Sequence, residues 1–232
     1  MKTLLALVSM LGALAAYGLE PLPAFSQGSR ILFQGDSITD GNRGRGADLN
    51  HVHGHGFVYL LAARIGAGAP GQNATFLNRG VSGHTVLDLA KRWPKDTLEL
   101  KPDVLSVLIG VNDSSKGVAP EVFERTYDEL LTAARAANPK LRLVLCEPFL
   151  GATGTAIDKS PGRRERLALL IPVVRRLAAK HGATLIDFQK VFDEAHSRAP
   201  SSYWIWDGVH PTTAGHQLMA DEWERVVRAS WR

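Results

Sequence analysis

Four short segments of this 232-residue chain carry the residue types that acyl transfer needs. They are Gly35-Asp36-Ser37-Ile38, Ser82-Gly83, Gly110-Val111-Asn112-Asp113 and Asp207-Gly208-Val209-His210-Pro211. Ser37 offers a hydroxyl nucleophile, and a serine hydroxyl attacks weakly at neutral pH without a base beside it. His210 is the candidate base, and Asp207, three residues earlier, is the candidate acid that orients it. Gly208 frees the backbone to bring the carboxylate to one imidazole nitrogen, leaving the other for the serine proton. The backbone N–H of Gly83, the side-chain amide of Asn112 and the N–H of Ser37 are candidate donors to a developing oxyanion. Such donors contribute about 3–4 kcal/mol each in other hydrolases. Each segment has a plain structural reading beside this one. Asp36, Ser37 or Thr39 suits a helix N-cap, and Asp207-Gly208 suits a turn followed by a surface histidine. Only the conjunction of the four argues for a site.

The elements that must position these residues are legible as alternating runs. Ile31–Phe33, Thr75–Leu77, Val104–Ile109, Leu141–Cys146 and Thr184–Ile186 are short, apolar and rich in Val, Ile and Leu, as buried parallel strands should be. Helical patterns separate them. One spans Phe57 to Ile65. Another starts at Pro120-Glu121 and stops before Asn138-Pro139, with Pro at the first turn. A third covers Arg163 to Lys180 and ends in Lys180-His181-Gly182, a cationic turn followed by glycine. Pro172 lies within it and is expected to kink or divide it. A last amphipathic helix runs from about Thr213 to Ala229. This alternation predicts one α/β domain, residues 29–232, with a mostly parallel sheet covered by helices on both faces. Sites in such folds lie at the carboxyl ends of the strands. The first three motifs follow the first three apolar runs.

Bulk composition excludes little. Hydrophobic residues make up 45% and charged residues 22% of the chain, and the formal charge is +4. The cations are scattered, so a solvated surface is favoured over nucleic-acid binding. Lys2 followed by the apolar stretch Leu4 to Ala16 reads as a secretory signal peptide, with Ala13-Leu14-Ala15 as a cleavage region. Residues 1–28 are therefore read as signal and disordered lead-in. The mature chain is expected to be secreted or periplasmic, with no stable membrane association. Cys146 is the single cysteine; within Leu143-Val144-Leu145-Cys146 it reads as a small buried hydrophobe.

The four motifs together resemble the GDSL, or SGNH, hydrolase superfamily. Its four eponymous residues match Ser37, Gly83, Asn112 and His210. The flanking blocks read Asn78-Arg79-Gly80-Val81-Ser82-Gly83 and Ile109-Gly110-Val111-Asn112-Asp113. The first block ends in Ile38 where the family name has leucine. The resemblance covers Arg30 to the carboxyl terminus. It implies a flavodoxin-like three-layer α/β/α sandwich around five mostly parallel strands, and ester hydrolysis without a metal or cofactor. Gly35 to Asp40, Arg79 to Gly83 and Trp206-Asp207 resemble the bacterial acetylxylan esterase branch more narrowly. An acetylated carbohydrate or another small acyl ester is then the expected substrate. Oligomers among the esterases of that branch make a homo-oligomer the expectation.

Three further groups carry two readings each. Tyr203, Trp204 and Trp206 suit stacking on sugar rings or packing beneath the catalytic loop, with Trp206 the best substrate contact. Asp40 and Arg79, with Arg43, suit a pocket mouth or structural ion pairs. His51, His53 and His55 invite a metal, but no cysteine or carboxylate completes a familiar ligand set, so a loop at the surface or pocket edge is expected. Against the carbohydrate esterase stand two rivals. One is a lysophospholipase or broad short-chain acylesterase. The other is a catalytically silent carbohydrate-binding protein, which has no need of Ser37, Asp207 and His210 together.

Overall fold

The structure, a computed structural model, describes residues 25–231. The expected signal segment lies outside the described residues. Residues 25–28 of the expected lead-in are among the described residues. Phe25 is buried in the core against the Phe76 ring, and its carbonyl accepts from the Gln72 side chain at 2.9 Å. An aromatic ring this apolar is worth burying wherever the chain offers a slot.

Five strands form one sheet: β1 (Arg30–Gly35), β2 (Thr75–Asn78), β3 (Val104–Leu108), β4 (Arg142–Cys146) and β5 (Thr184–Ile186). Their spatial order is β2-β1-β3-β4-β5, and every pairing is parallel. The expectation of a mostly parallel, flavodoxin-like sheet is met, and the doubly wound order places a switch point between β1 and β3. Alternate residues of each strand serve opposite faces. Ile31, Phe33, Val104, Leu108, Val144 and Cys146 point into one core, while Leu32, Leu105, Val107, Leu143 and Leu145 point into the other.

The helices are α1 (Ser37–Asp40), α2 (Phe57–Gly68), α3 (Val86–Trp93), α4 (Val111–Lys116), α5 (Pro120–Ala137), α6 (Thr155–Asp158), α7 (Arg163–His181), α8 (Phe188–Ala195), α9 (Ser201–Trp204) and α10 (Thr213–Ser230). Residues of α2, α8 and α10 fill the first core, and those of α3, α5 and most of α7 fill the second. Pro172 does not divide α7, which runs unbroken across it. Proline forfeits one backbone hydrogen bond there, but Leu170, Val173, Val174 and Leu177 are buried on either side and hold the helix to the sheet. Cys146 is fully buried, and that burial pushes its thiol up to about 12. It packs as a hydrophobe, as the sequence predicts.

One polar contact crosses the first core. The indole N–H of Trp223 on α10 donates to Ser106 Oγ on β3 at 3.0 Å, with both side chains buried. Replacing the acceptor leaves a buried donor without a partner, which costs about 1–3 kcal/mol. Ser106→Ala is therefore expected to lower the unfolding free energy by about that amount in urea titration.

Candidate active site

Ser37 sits where β1 turns into α1. The turn is forced into one shape by glycine: a Cβ on Gly35 would stand 2.4 Å from the Leu108 carbonyl oxygen of β3. Asp36 is the N-cap of α1, its carboxylate accepting from the Ile38 N–H at 3.0 Å. The capping reading of this tripeptide and the nucleophile reading are thus both accommodated, by adjacent residues. Ser37 becomes the first residue of the helix, and its N–H has no intrahelical acceptor.

The structure brings Ser37, His210 and Asp207 into one line. Ser37 Oγ lies 2.9 Å from His210 Nε2, and His210 Nδ1 lies 2.7 Å from Asp207 Oδ2. An ionised carboxylate cannot donate, so the proton sits on Nδ1 and the Nε2 lone pair accepts from the serine hydroxyl. Asp207 Oδ1 also accepts from the N–H groups of Val209 and His210 at 2.9 and 2.7 Å. Burial raises the Asp207 carboxyl, and these bonds outweigh it, holding the group below the usual carboxylate range. The loop that carries the pair is packed tightly. Gly154 lies so close that a Cβ there would meet the Asp207 carbonyl at 2.2 Å. Gly151 N–H donates to Gly208 O at 2.9 Å and Ala156 N–H to Asp207 O at 3.0 Å.

Gly83 occupies the third position of the turn Val81–His84, which is closed by His84 N–H to Val81 O at 3.2 Å. Its φ of +80° is the left-handed value that such a turn demands of its third residue. Asn112 lies in the first turn of α4, straight after β3, and one amide N–H donates to the His84 carbonyl at 3.1 Å. The second N–H of that amide has no partner among the described residues. The carboxyl ends of β1, β2 and β3 therefore present Ser37, Gly83 and Asn112, as expected for this topology.

The secondary candidates separate. Asp40 lies beneath the turn rather than at a pocket mouth: it is buried, and both its oxygens are taken. Arg45 grips it at 2.9 and 2.7 Å, and Ser82 donates its N–H and hydroxyl at 3.0 and 2.9 Å. The ion-pair reading suits this geometry. Arg79 is half-buried and donates to the Asn78 carbonyl. Trp206 is 63% exposed, its ring lying 6.5 Å from the His210 ring at an interplanar angle of 26°. Of its neighbours, Tyr203 is exposed and Trp204 joins the core. The three histidines diverge. His51 binds Asp48, and His53 donates from Nε2 to the Phe76 carbonyl. Among the described residues no group of three His, Cys, Asp or Glu converges on a point. A cavity of about 360 Å³, lined by Thr97, Leu98, Asp103 and Leu141, lies at the amino ends of β3 and β4, opposite Ser37.

Sequence reasoning named Asp36 as a possible cap but did not read its burial, that of Asp113, or the role of Arg163. Asp36 and Asp113 are fully buried, and burial raises their carboxyls to about 7 and about 6. Arg163, from α7, is buried near Asp36 and Asp207 and donates to the Val111 carbonyl at 2.9 Å. Asp113 in turn accepts the Val86 N–H at 3.0 Å, fixing the start of α3 to the start of α4. Nothing in a single sequence marks Arg163, one of several arginines in an amphipathic helix, as the buried one.

Residues 33–218 match the GDSL-like lipase/acylhydrolase family. The chain belongs to this family. It is 31% identical over 217 residues to the acetylxylan esterase of Geobacillus stearothermophilus, spanning 88% of this chain and 96% of that one. A crystal structure of that enzyme superposes with a TM-score of 0.77 over 88% of this chain and 96% of the other, at 30% identity. Two further structures of it carry a replaced serine or a replaced aspartate and are described as catalytic mutants. A Parabacteroides merdae structure described as a GDSL-like lipase gives a TM-score of 0.81 at 36% identity, covering 88% of this chain and 97% of that one. The protein is a carboxylic ester hydrolase of the SGNH type.

The buried Asp36 generates a stability prediction. Its carboxyl titrates near 3.8 when exposed and near 7 in the fold, so the folded state binds more protons between those values. Stability contributed by the protonated group is then present at low pH and declines as pH rises from about 4 to about 7. Asp36→Asn, which cannot ionise, is expected to remove that decline. Urea unfolding of the two proteins at pH 4.5 and 7.5 checks it; an identical pH slope in both would refute the assignment.

Proposed function

We propose that this protein removes acetyl or other short-chain acyl groups from an acetylated polysaccharide such as xylan, using Ser37, His210 and Asp207. The hydrogen-bonded line from Ser37 through His210 to Asp207 carries the proposal for the residues. The acetylxylan esterase relatives supply the substrate class. The exposed Trp206 ring beside His210 supports a sugar-ring contact.

The cycle has two halves. Ser37 Oγ attacks the acetyl carbonyl carbon while its proton passes to His210 Nε2, and the carbonyl pair moves onto oxygen. That oxyanion accepts from the N–H groups of Ser37 and Gly83 and from the free amide N–H of Asn112. Collapse of the intermediate breaks the bond to the sugar oxygen, which takes the proton from Nε2 and leaves as an alcohol. Water then attacks the acyl-serine and gives one proton to His210. The second collapse releases acetate and returns the proton to Ser37 Oγ. Asp207 remains ionised throughout and stabilises the imidazolium. Arg79 is kept in this reading as a half-buried cation near the block that bears Gly83, and Asp40 as the anchor of Ser82. Export through the segment Lys2 to Ala16 would bring the enzyme to a polymeric substrate.

Ser37→Ala is expected to lower turnover of a chromogenic acetate ester by about 10⁴-fold or more and to abolish labelling by a serine-directed phosphonate. Unchanged turnover would end the serine mechanism. For the substrate, acetate release from acetylated xylan is expected to exceed fatty-acid release from lysophospholipid in kcat/KM. The reverse ranking would replace this reading with the lysophospholipase.

A further inference from the structure

Arg92, on α3, makes an unusual set of contacts for a helix arginine. Its Nη1 donates to the carbonyl of Arg79 at 2.7 Å and to the Gln34 side chain at 2.8 Å. Its Nη2 donates to the Gly35 carbonyl at 3.2 Å, and its Nε donates to His84 Nδ1 at 3.2 Å. A fifth bond, to Asp96 one helical turn on at 3.2 Å, is an ordinary i, i+4 pair. Of the other four, two go to the end of β1, at Gln34 and Gly35, and two to the segment leaving β2, at Arg79 and His84. Gly35 is two residues before Ser37, Arg79 begins the strap to Gly83, and His84 follows Gly83 directly. The His84 carbonyl then holds Asn112. One guanidinium is thus tied, directly or through His84, to the segments that bear all three proposed oxyanion donors.

The chemistry of the contact constrains His84 as well. A guanidinium only donates, so His84 Nδ1 must be the acceptor and the ring proton must sit on Nε2. Burial and the adjacent Arg92 cation lower the His84 pKa, which keeps that lone pair available. A protonated His84 would present N–H to N–H and push the turn away. The planar, five-donor fork of arginine reaches several acceptors at once, which lysine cannot do. The Arg92 side chain is only 14% exposed, so these bonds are shielded from solvent and hold their geometry.

We propose that Arg92, acting through His84 and the Gly35 and Arg79 carbonyls, is a positioning residue that sets the register of the oxyanion donors of Ser37, Gly83 and Asn112. This rests on the serine-esterase reading above. Misplacing donors by a fraction of an ångström raises the barrier to the tetrahedral intermediate while leaving ground-state binding almost untouched.

The test compares Arg92→Met, His84→Ala and His84→Asn with the parent and with Ser37→Ala, on a chromogenic acetate ester. Active sites are counted by phosphonate titration, so that kcat is expressed per competent site and misfolded protein drops out. Arg92→Met is expected to lower this kcat by about tenfold to a hundredfold with KM within about twofold. His84→Ala is expected to lose less. His84→Asn, whose Oδ1 stands near the lost Nδ1 acceptor, is expected to recover most of that loss. A parent-like kcat per titrated site in Arg92→Met overturns the inference. If Arg92→Met does not fold, the histidine pair decides: His84→Ala at parental kcat, or no recovery in His84→Asn, overturns it equally. An active Ser37→Ala would instead bring down the esterase reading itself, and this inference with it.

Discussion

The arrangement depends on the charge of one carboxylate. Asp207 must be ionised for the His210 proton to sit on Nδ1, and only then can Nε2 accept from Ser37. Burial alone would favour the neutral acid. The structure opposes this with three donors, two from the backbone and one from the ring, on a loop whose path is fixed by close contact with Gly151 and Gly154. Those two glycines matter because a side chain at either would press on the loop itself. The charge, the tautomer and the loop path are therefore one constraint, and Ser37, 173 residues away in the chain, is placed to meet it.

Beneath this line the protein tolerates an arrangement that costs stability. Asp36 and Asp113 are buried, and each leaves one oxygen without a protein partner. An unpartnered buried polar group costs about 1–3 kcal/mol. Asp36 nevertheless caps the short helix that begins at Ser37, and Asp113 caps α3 from across the sheet end. Both use one oxygen for an essential backbone donor and strand the other. Arg163 offsets part of the charge, since its cation lies near Asp36 and Asp207 and lowers the pKa of the former. Local strain and desolvation of this kind concentrate where geometry cannot be relaxed.

The legible part of the fold was the part written in periodicity. All five apolar runs became strands, shifted at most by one or two residues at their ends, and the long helices fell where their stripes and stop signals placed them. α1, α4, α6 and α9 were not read, because four to six residues are too few to show a 3.6-residue period. α8 was not read either, and α3 was missed for a different reason. Its turn Thr85–Asp88 is a capping box, a local signal that was available but lay in the shadow of the Ser82-Gly83 motif. The site motifs were legible because each carries a rare combination of glycine with polar residues, three of them at strand ends and the fourth just before the last helix. Arg92 and Arg163 were not, since their importance lies in what they touch across the fold, and arginine on a helix face is ordinary. Asp40 shows the limit from the other side. Its position next to the nucleophile motif suited a pocket mouth or an ion pair equally, and only the fold shows the side chain turned inward to Arg45 and Ser82.

The two halves of the site leave the fold from different places. Ser37, Gly83 and Asn112 leave from the three adjacent strands β2, β1 and β3, whose parallel pairing fixes their spacing, and Arg92 and Asp40 cross-link the exits. Donors to a transition-state charge lose value quickly when they can move, so they belong on the most rigid part of the scaffold. The base arrives on a loop between α9 and α10, anchored by the bridge between Ile205 and Pro211 and by Thr212, which caps α10. Trp206 rides on that same loop, its ring 6.5 Å from the His210 ring. In the proposed reaction, a sugar ring that stacks on Trp206 would load the loop that carries the base.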